Sequence, residues 1–144
     1  MEYFIIGRHK NKSVVDVYVA RVIKSLKLHR LTKRSIVIEF KTSLDDEALG
    51  LCFGVKDVAK VDIARKSSGV NQTFLEQMQT LAHELVHVKQ YMRGELGYNQ
   101  QGDFKWKKRN AGGYKYQNQP WEKEAVRLEK TLFMECFPFD MEIS

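Results

Sequence analysis

Short apolar runs and one longer amphipathic stretch divide the first half of the chain. Tyr3–Ile6, Ser35–Phe40, Leu51–Val55 and Val58–Arg65 are bounded by polar or glycine residues and predict strands. Ser13–Leu26 repeats apolar residues at helical spacing and predicts a helix capped by its serine. The many valines in that stretch leave a strand as the alternative. These patterns predict one helix and a sheet of three or four strands.

The second half of the chain predicts two helices joined by a loop. Asn71–Arg93 has the apolar spacing of a long helix, and Gly94 follows as a stop signal. The glycine-rich segment Glu95–Gln119 predicts a loop or loose hairpin. Trp121–Cys136 predicts a C-terminal helix, with a proline suited to its first turn. Together the elements predict a single α+β domain over residues 1–144.

The long helix carries the sequence His-Glu-Leu-Val-His at residues 83–87. Histidines four positions apart lie on one face of an α-helix, so His83 and His87 can bind one metal ion. Glu84, between them, can reach a metal-bound water and act as a general base. This HExxH pattern is typical of zinc peptidases. The alternative is two histidines on a solvated helix face.

The other residues of the long helix indicate where the histidines point. Leu81, Leu85 and Val88 belong to an apolar stripe along one side, whereas His83 and His87 project almost opposite. The histidines are therefore expected outside the hydrophobic core, facing solvent or a cleft covered by another segment.

A catalytic zinc site needs a third protein ligand and an open fourth position. The remaining histidines, His9 and His29, precede the motif, and Gln90 and Arg93 stand where a metzincin pattern has glycine and histidine. The downstream candidates are one cysteine and eight carboxylates: Cys136, Glu95, Asp103, Glu122, Glu124, Glu129, Glu135, Asp140 and Glu142. The two glutamates of the sequence Glu-Lys-Glu are expected on a helix, which can hold a ligand rigidly.

Two segments resemble a known family. Residues 80–91, with the HExxH pattern, and Pro120–Ala125 are similar to small gluzincin-type zinc metallopeptidases, including those found in bacteriophages. In these enzymes a glutamate from a following helix completes the metal site. The resemblance assigns this role to Glu124, which precedes alanine in Glu-x-Glu-Ala, with Glu122 as the alternative. Either could instead be an acidic first turn that complements the helix dipole. The family often has an acid four residues after the ligand, but Leu128 stands there.

The resemblance implies a minimal zincin fold and zinc-dependent hydrolysis of peptide bonds. With Zn²⁺ held by His83, His87 and Glu124, Glu84 would take a proton from the metal-bound water and pass it to the leaving amine. In this fold the substrate pairs with a strand edge, for which Val58–Arg65 is the candidate. A hydroxyl that stabilises the oxyanion is expected from one of four tyrosines: Tyr91, Tyr98, Tyr114 and Tyr116.

The composition limits the setting of this activity. The 144 residues carry a net charge of +6, which permits an acidic partner or nucleic acid without requiring either. No apolar run reaches the ~20 residues of a membrane span, and the apolar N-terminus is too short for a signal peptide. Cys52 and Cys136 have no CxxC spacing. We therefore expect a cytoplasmic protein without membrane contact, in the host cytoplasm if a phage encodes it.

Two alternative functions remain open at this point. Lys105–Lys115 interleaves cations with aromatic residues, as nucleic-acid-binding surfaces do, and would suit a SprT-like protease acting on DNA-bound proteins. The third downstream histidine and the zinc ribbon of such proteins are absent, and a solvated hairpin is the simpler interpretation. The chain could also be a non-catalytic zinc-containing phage protein that binds a host factor. A structural zinc site, however, has four protein ligands and does not need Glu84.

Overall fold

A mixed four-stranded sheet is the largest element in a computed structural model that describes residues 1–144. Its strands are β1 (Glu2–Gly7), β2 (Ser35–Lys41), β3 (Gly50–Gly54) and β4 (Val58–Ala64). Their spatial order is β1-β2-β4-β3, with β1, β2 and β4 parallel and β3 antiparallel to β4. The two outer strands, β1 and β3, therefore each have one unpaired edge.

Three helices accompany the sheet: α1 (Lys12–Ser25), α2 (Phe74–Met92) and α3 (Pro120–Cys136). Three short 3₁₀ turns lie at 28–30, 45–47 and 116–118. None of the helices combines the length and the apolar character that crossing a bilayer requires. The predicted α+β architecture, with the HExxH helix followed by a C-terminal helix, is confirmed.

The core follows from the alternation of residues along the strands. In β2, Ile36, Ile38 and Phe40 are buried, whereas the residues between them are only partly covered, as period-two patterning requires. The buried residues join the apolar sides of all three helices in one cluster. Within it, the Tyr18 hydroxyl donates a hydrogen bond to the Met78 carbonyl oxygen at 2.8 Å, which ties α1 to α2.

The helix starts differ from those predicted. Thr73, rather than Asn71, caps α2: its side chain accepts from the Glu76 amide, and the Glu76 carboxylate accepts from the Thr73 amide. Asn11, in a left-handed conformation, precedes α1, and Ser13 is not its cap. Gly94, at φ 73°, follows α2 as expected, because a left-handed residue after a helix favours glycine.

The segment between α2 and α3 is more ordered than the predicted loop. It forms a three-stranded sheet of β7 (Leu96–Tyr98), β8 (Phe104–Trp106) and β9 (Arg109–Asn110). A separate two-stranded hairpin of β5 (Lys66–Ser67) and β6 (Val70–Asn71) precedes α2. Aromatic residues anchor the three-stranded sheet on α3. The ring of Phe104 lies 4.8 Å and that of Trp106 6.0 Å from the ring of Trp121.

The strand order corrects one prediction about the substrate. Val58–Arg65 was the candidate edge strand, but β4 lies between β2 and β3 and is paired on both sides. It therefore has no free edge for a peptide. β3 is an edge strand, and it lies beside α2: its Gly50 packs against Thr80 and Glu84 of that helix.

Candidate metal centre

The HExxH side chains converge at the side of α2 that faces α3. Donor atoms of His83, Glu84 and His87 all lie within 4.8 Å of one another, so this group could hold a metal ion. His87 and Glu84 are buried, and His83 is partly covered. The histidines thus face a cleft covered by α3 rather than open solvent, which was one of the two outcomes predicted from the helical pattern.

Glu122, in the first turn of α3, joins the two histidines. Its Oε1 lies 2.8 Å from His83 Nε2, and its Oε2 lies 2.9 Å from His87 Nε2. Burial alone would raise the pKa of Glu122, but hydrogen bonds to both imidazoles outweigh it and hold the pKa well below its ordinary value. Three side chains from two helices are therefore in direct contact through their nitrogen and oxygen atoms.

Glu124, the predicted third ligand, is not brought to the histidines. Its Oε1 accepts hydrogen bonds from Lys89 Nζ at 3.0 Å and from Gln90 Nε2 at 2.9 Å. Residues two positions apart on an α-helix are separated by about 200° around its axis, so Glu122 and Glu124 cannot face the same point. The assignment taken from the Glu-x-Glu-Ala pattern does not agree with these positions, and Glu122, its alternative, occupies the place expected of a ligand.

Each imidazole has a separate partner for its second nitrogen. His87 Nδ1 lies 2.8 Å from Gln90 Oε1, and His83 Nδ1 lies 3.5 Å from Glu129 Oε2. In the metal-free protein each Nε2 therefore donates to Glu122, and loss of that proton would free the Nε2 lone pair for a metal while Nδ1 keeps its partner. The acid that the family often has at the position of Leu128 is absent here. Glu129, two helical turns after Glu122, instead places a carboxylate near His83.

The orientation of Gln90 is fixed by its own contacts. Its Nε2 donates to the Trp121 carbonyl oxygen at 3.0 Å and to Glu124 Oε1, which leaves Oε1 to accept from His87. Gln90 is fully buried. Sequence reasoning treated it only as a departure from the metzincin pattern. Its spacing of three from His87 on the same helix was the available signal for this role.

Glu84 is the least satisfied polar group of the centre. It is 6% exposed, and its Oε2 has no hydrogen-bond partner. Burial raises the pKa of Glu84 to about 7, although both neighbouring histidines oppose this change. Gly50 of β3 closes the space on one side. A Cβ atom there would lie 2.9 Å from Glu84 Cγ and 2.7 Å from Thr80 Cγ2, so only glycine allows the strand to pass this close.

A surface cleft of about 470 Å³ opens beside the centre, with His83, Glu122 and Tyr116 in its wall. Burial and the Glu122 carboxylate raise the pKa of the Tyr116 hydroxyl, which keeps it protonated. The other tyrosines considered have different surroundings. The hydroxyls of Tyr91 and Tyr98 bond each other at 2.9 Å, and Tyr114 packs edge-on against Trp121.

The remaining candidate ligands lie elsewhere. His9 stacks on Phe40 at 4.9 Å, Cys136 belongs to the hydrophobic core, and Glu95 pairs with Lys89 at 2.8 Å. No second group of metal-binding side chains occurs in the chain.

The aromatic residues of the basic segment are largely engaged by the protein itself. Phe104 and Trp106 pack against Trp121, and Lys107 Nζ lies 5.4 Å from the centre of the Trp106 ring. Tyr114, the other aromatic residue of this segment, is half-exposed and packs edge-on against Trp121.

Comparisons with models of protein families, with curated proteins and with solved structures found no match for this chain. The functional argument therefore depends on the side chains of the centre itself.

Proposed function

We propose that the protein is a zinc-dependent metallopeptidase in which His83, His87 and Glu122 hold the metal and Glu84 is the general base. The observation that carries this proposal is the contact of both histidine Nε2 atoms with the two oxygens of one carboxylate. Because each Nδ1 has another acceptor, the Nε2 atoms are the ones available to a metal.

The donor set suits zinc. Two imidazoles and one carboxylate are the ligands of many catalytic zinc sites, and three protein ligands leave a coordination position open. Glu84 is assigned as base rather than ligand because Glu122 already contacts both imidazoles, whereas Glu84 Oε2 has no partner in the protein. A buried oxygen without a partner destabilises the fold, so its retention favours a functional role.

Zinc bound in such a site lowers the pKa of a coordinated water and polarises the scissile carbonyl group. The chain supplies proton transfer: Glu84 accepts a proton at its carboxylate during attack and donates it to the leaving amine. Tyr116, in the wall of the cleft beside His83 and Glu122, is the tyrosine that we assign to donate its hydroxyl hydrogen to the carbonyl oxygen as negative charge develops there. The free edge of β3 offers backbone N–H and C=O groups that can align an extended peptide beside Glu84.

The test is the variant Glu84→Gln, with Glu135→Gln as its control because Glu135 is exposed and forms no ion pair. Zinc-loaded proteins are incubated with a mixture of denatured proteins, and new N-termini are counted by mass spectrometry. Glu84→Gln should keep its zinc and lose activity by about 10²–10⁴-fold, the usual contribution of a general base. Glu135→Gln should match the wild type.

Two results would contradict the proposal. One is equal turnover in wild type and Glu84→Gln, because the proton acceptor would then be dispensable. The other is a zinc-loaded wild type that produces no new termini from any protein in the mixture, which would favour a non-catalytic metal-binding protein.

A further inference from the structure

We propose that a cationic pocket at the far end of β3 binds an acidic side chain of the substrate and makes the enzyme selective for acidic peptides. The inference rests on the proposed peptidase function and adds the class of substrate. The pocket, termed here the lysine pocket, contains Lys56, Lys105 and Lys108.

The lysine pocket has about 490 Å³ of space where four parts of the fold meet. Lys56 comes from the turn between β3 and β4, and Lys105 and Lys108 come from β8 and the turn after it. Tyr91, near the end of α2, and Tyr98 of β7 form its aromatic wall and are joined by their hydroxyls. Residues distant in sequence thus bring three lysines to the wall of one concavity.

The positive charge of the pocket is not neutralised within the protein. None of Lys56, Lys105 and Lys108 has a carboxylate within 4.0 Å, although five lysine–carboxylate pairings occur elsewhere. Glu95 also lines the pocket, but its carboxylate pairs with Lys89. A concave surface with charge of one sign attracts ligands of the opposite sign.

The edge of β3 connects the lysine pocket to the metal centre. Gly50 lies against Glu84, and Gly54 lies against Tyr91, where a Cβ atom would come within 3.0 Å of Tyr91 Cδ2. These glycines are four residues apart, which corresponds to ~13 Å of strand. A peptide paired with this edge therefore has a side chain near the pocket about four residues from the scissile bond.

The surroundings favour a peptide over a nucleic acid. The β3 edge offers unpaired backbone groups, which bind extended peptides. Phe104 packs on Trp121, and Tyr98 stacks against Phe53 and Tyr91, so these rings already contact one another beside the pocket. The charge and the edge together fit an acidic peptide.

The experiment compares extended peptides of neutral sequence that carry either Glu or Gln at each position from five before to five after the cleaved bond. At one position about four residues from that bond, the Glu peptide should have a kcat/KM about fivefold to tenfold higher, as expected for a few partly exposed ion pairs. This ratio should fall as salt concentration rises. In the triple variant Lys56→Gln/Lys105→Gln/Lys108→Gln, the ratio should fall to about one.

The control triple variant Lys24→Gln/Lys66→Gln/Lys130→Gln removes the same charge at exposed positions outside the lysine pocket. It should keep the wild-type ratio, which separates local recognition from net charge. Circular dichroism of both variants verifies that they are folded. A Glu to Gln ratio near one in wild type, or an equal loss in both variants, overturns the inference while the peptidase function stands.

Binding provides a readout that does not depend on turnover. Fluorescently labelled Glu and Gln peptides are titrated with Glu84→Gln protein, and the Glu peptide should bind about fivefold to tenfold more tightly. Equal binding overturns the inference even if no cleavage occurs. A single-stranded oligonucleotide that displaces the Glu peptide from wild-type protein, and binds the pocket variant less well, would assign the pocket to nucleic acid and also overturn it.

Discussion

The two sides of α2 differ in the kind of side chain that they bury. On one side, Met78, Leu81, Leu85 and Val88 are fully buried and belong to the apolar core. On the other side, toward α3, lie the buried polar residues of the whole chain: Glu84, His87, Gln90 and Glu122. One helix therefore separates an apolar region that stabilises the fold from a region in which burying polar groups costs free energy.

The difference indicates that the polar side is built around something that the protein alone does not provide. Most of its buried polar atoms have partners, yet Glu84 Oε2 has none. Position 84 is as buried as a core position, and the neighbouring Leu85 is fully covered. A region selected only for stability would therefore have an apolar residue at position 84. The comparison therefore predicts opposite responses to mutation on the two sides.

The largest effect on stability is expected from Leu85→Ala. Removing a fully buried leucine side chain leaves a cavity and should lower the free energy of unfolding by about 2–5 kcal/mol. Urea denaturation followed by circular dichroism measures this change. Leu75→Ala is the control, because Leu75 is on the same helix but is 40% exposed. Similar losses in the two variants would show that the apolar side is not tightly packed.

An opposite change is expected from the adjacent Glu84→Met in metal-free protein. Replacing a buried carboxylate that lacks a partner by an apolar side chain of similar length should raise the free energy of unfolding by about 1–3 kcal/mol. The same denaturation assay at neutral pH measures it, with Glu135→Met as the exposed control. If Glu84→Met lowers the free energy of unfolding and Glu135→Met does not, the Glu84 carboxylate has a structural role.

The smallest effect concerns the support of His87. Gln90→Leu removes the acceptor for His87 Nδ1 and should weaken zinc binding by about 10- to 100-fold, the usual effect of losing such a partner. Competition with a chromophoric chelator measures the affinity. Gln79→Leu on the same helix forms no such contact and should bind zinc like the wild type. Equal affinities for the two variants would separate Gln90 from the metal centre.

Local patterns predicted the parts of this molecule that depend on local sequence. The period-two alternation around Ile36 and the helical spacing through His83 and His87 each specify an element and its buried side without reference to the rest of the chain. The HExxH group was predictable because one helix carries all of it. Pro120 likewise marked the start of α3 correctly.

The parts that were not predicted depend on packing between distant segments. Both glutamates contact α2, and which of them reaches the two histidines is set by the position and rotation of α3 on α2, which the sequence of α3 alone does not fix. The position of β3 at the sheet edge depends on pairing of non-consecutive strands. The strands between α2 and α3 are two or three residues long, too short for a periodic signal.

Zinc content of Glu122→Ala and Glu124→Ala tests the central claim most directly. Each purified variant is equilibrated with zinc, desalted and analysed for metal, and its fold is verified by circular dichroism. Because Glu122 contacts both imidazoles and Glu124 contacts Lys89 and Gln90, Glu122→Ala should lose the zinc that wild type retains, whereas Glu124→Ala should keep it. Zinc retained in Glu122→Ala and lost in Glu124→Ala would contradict the account.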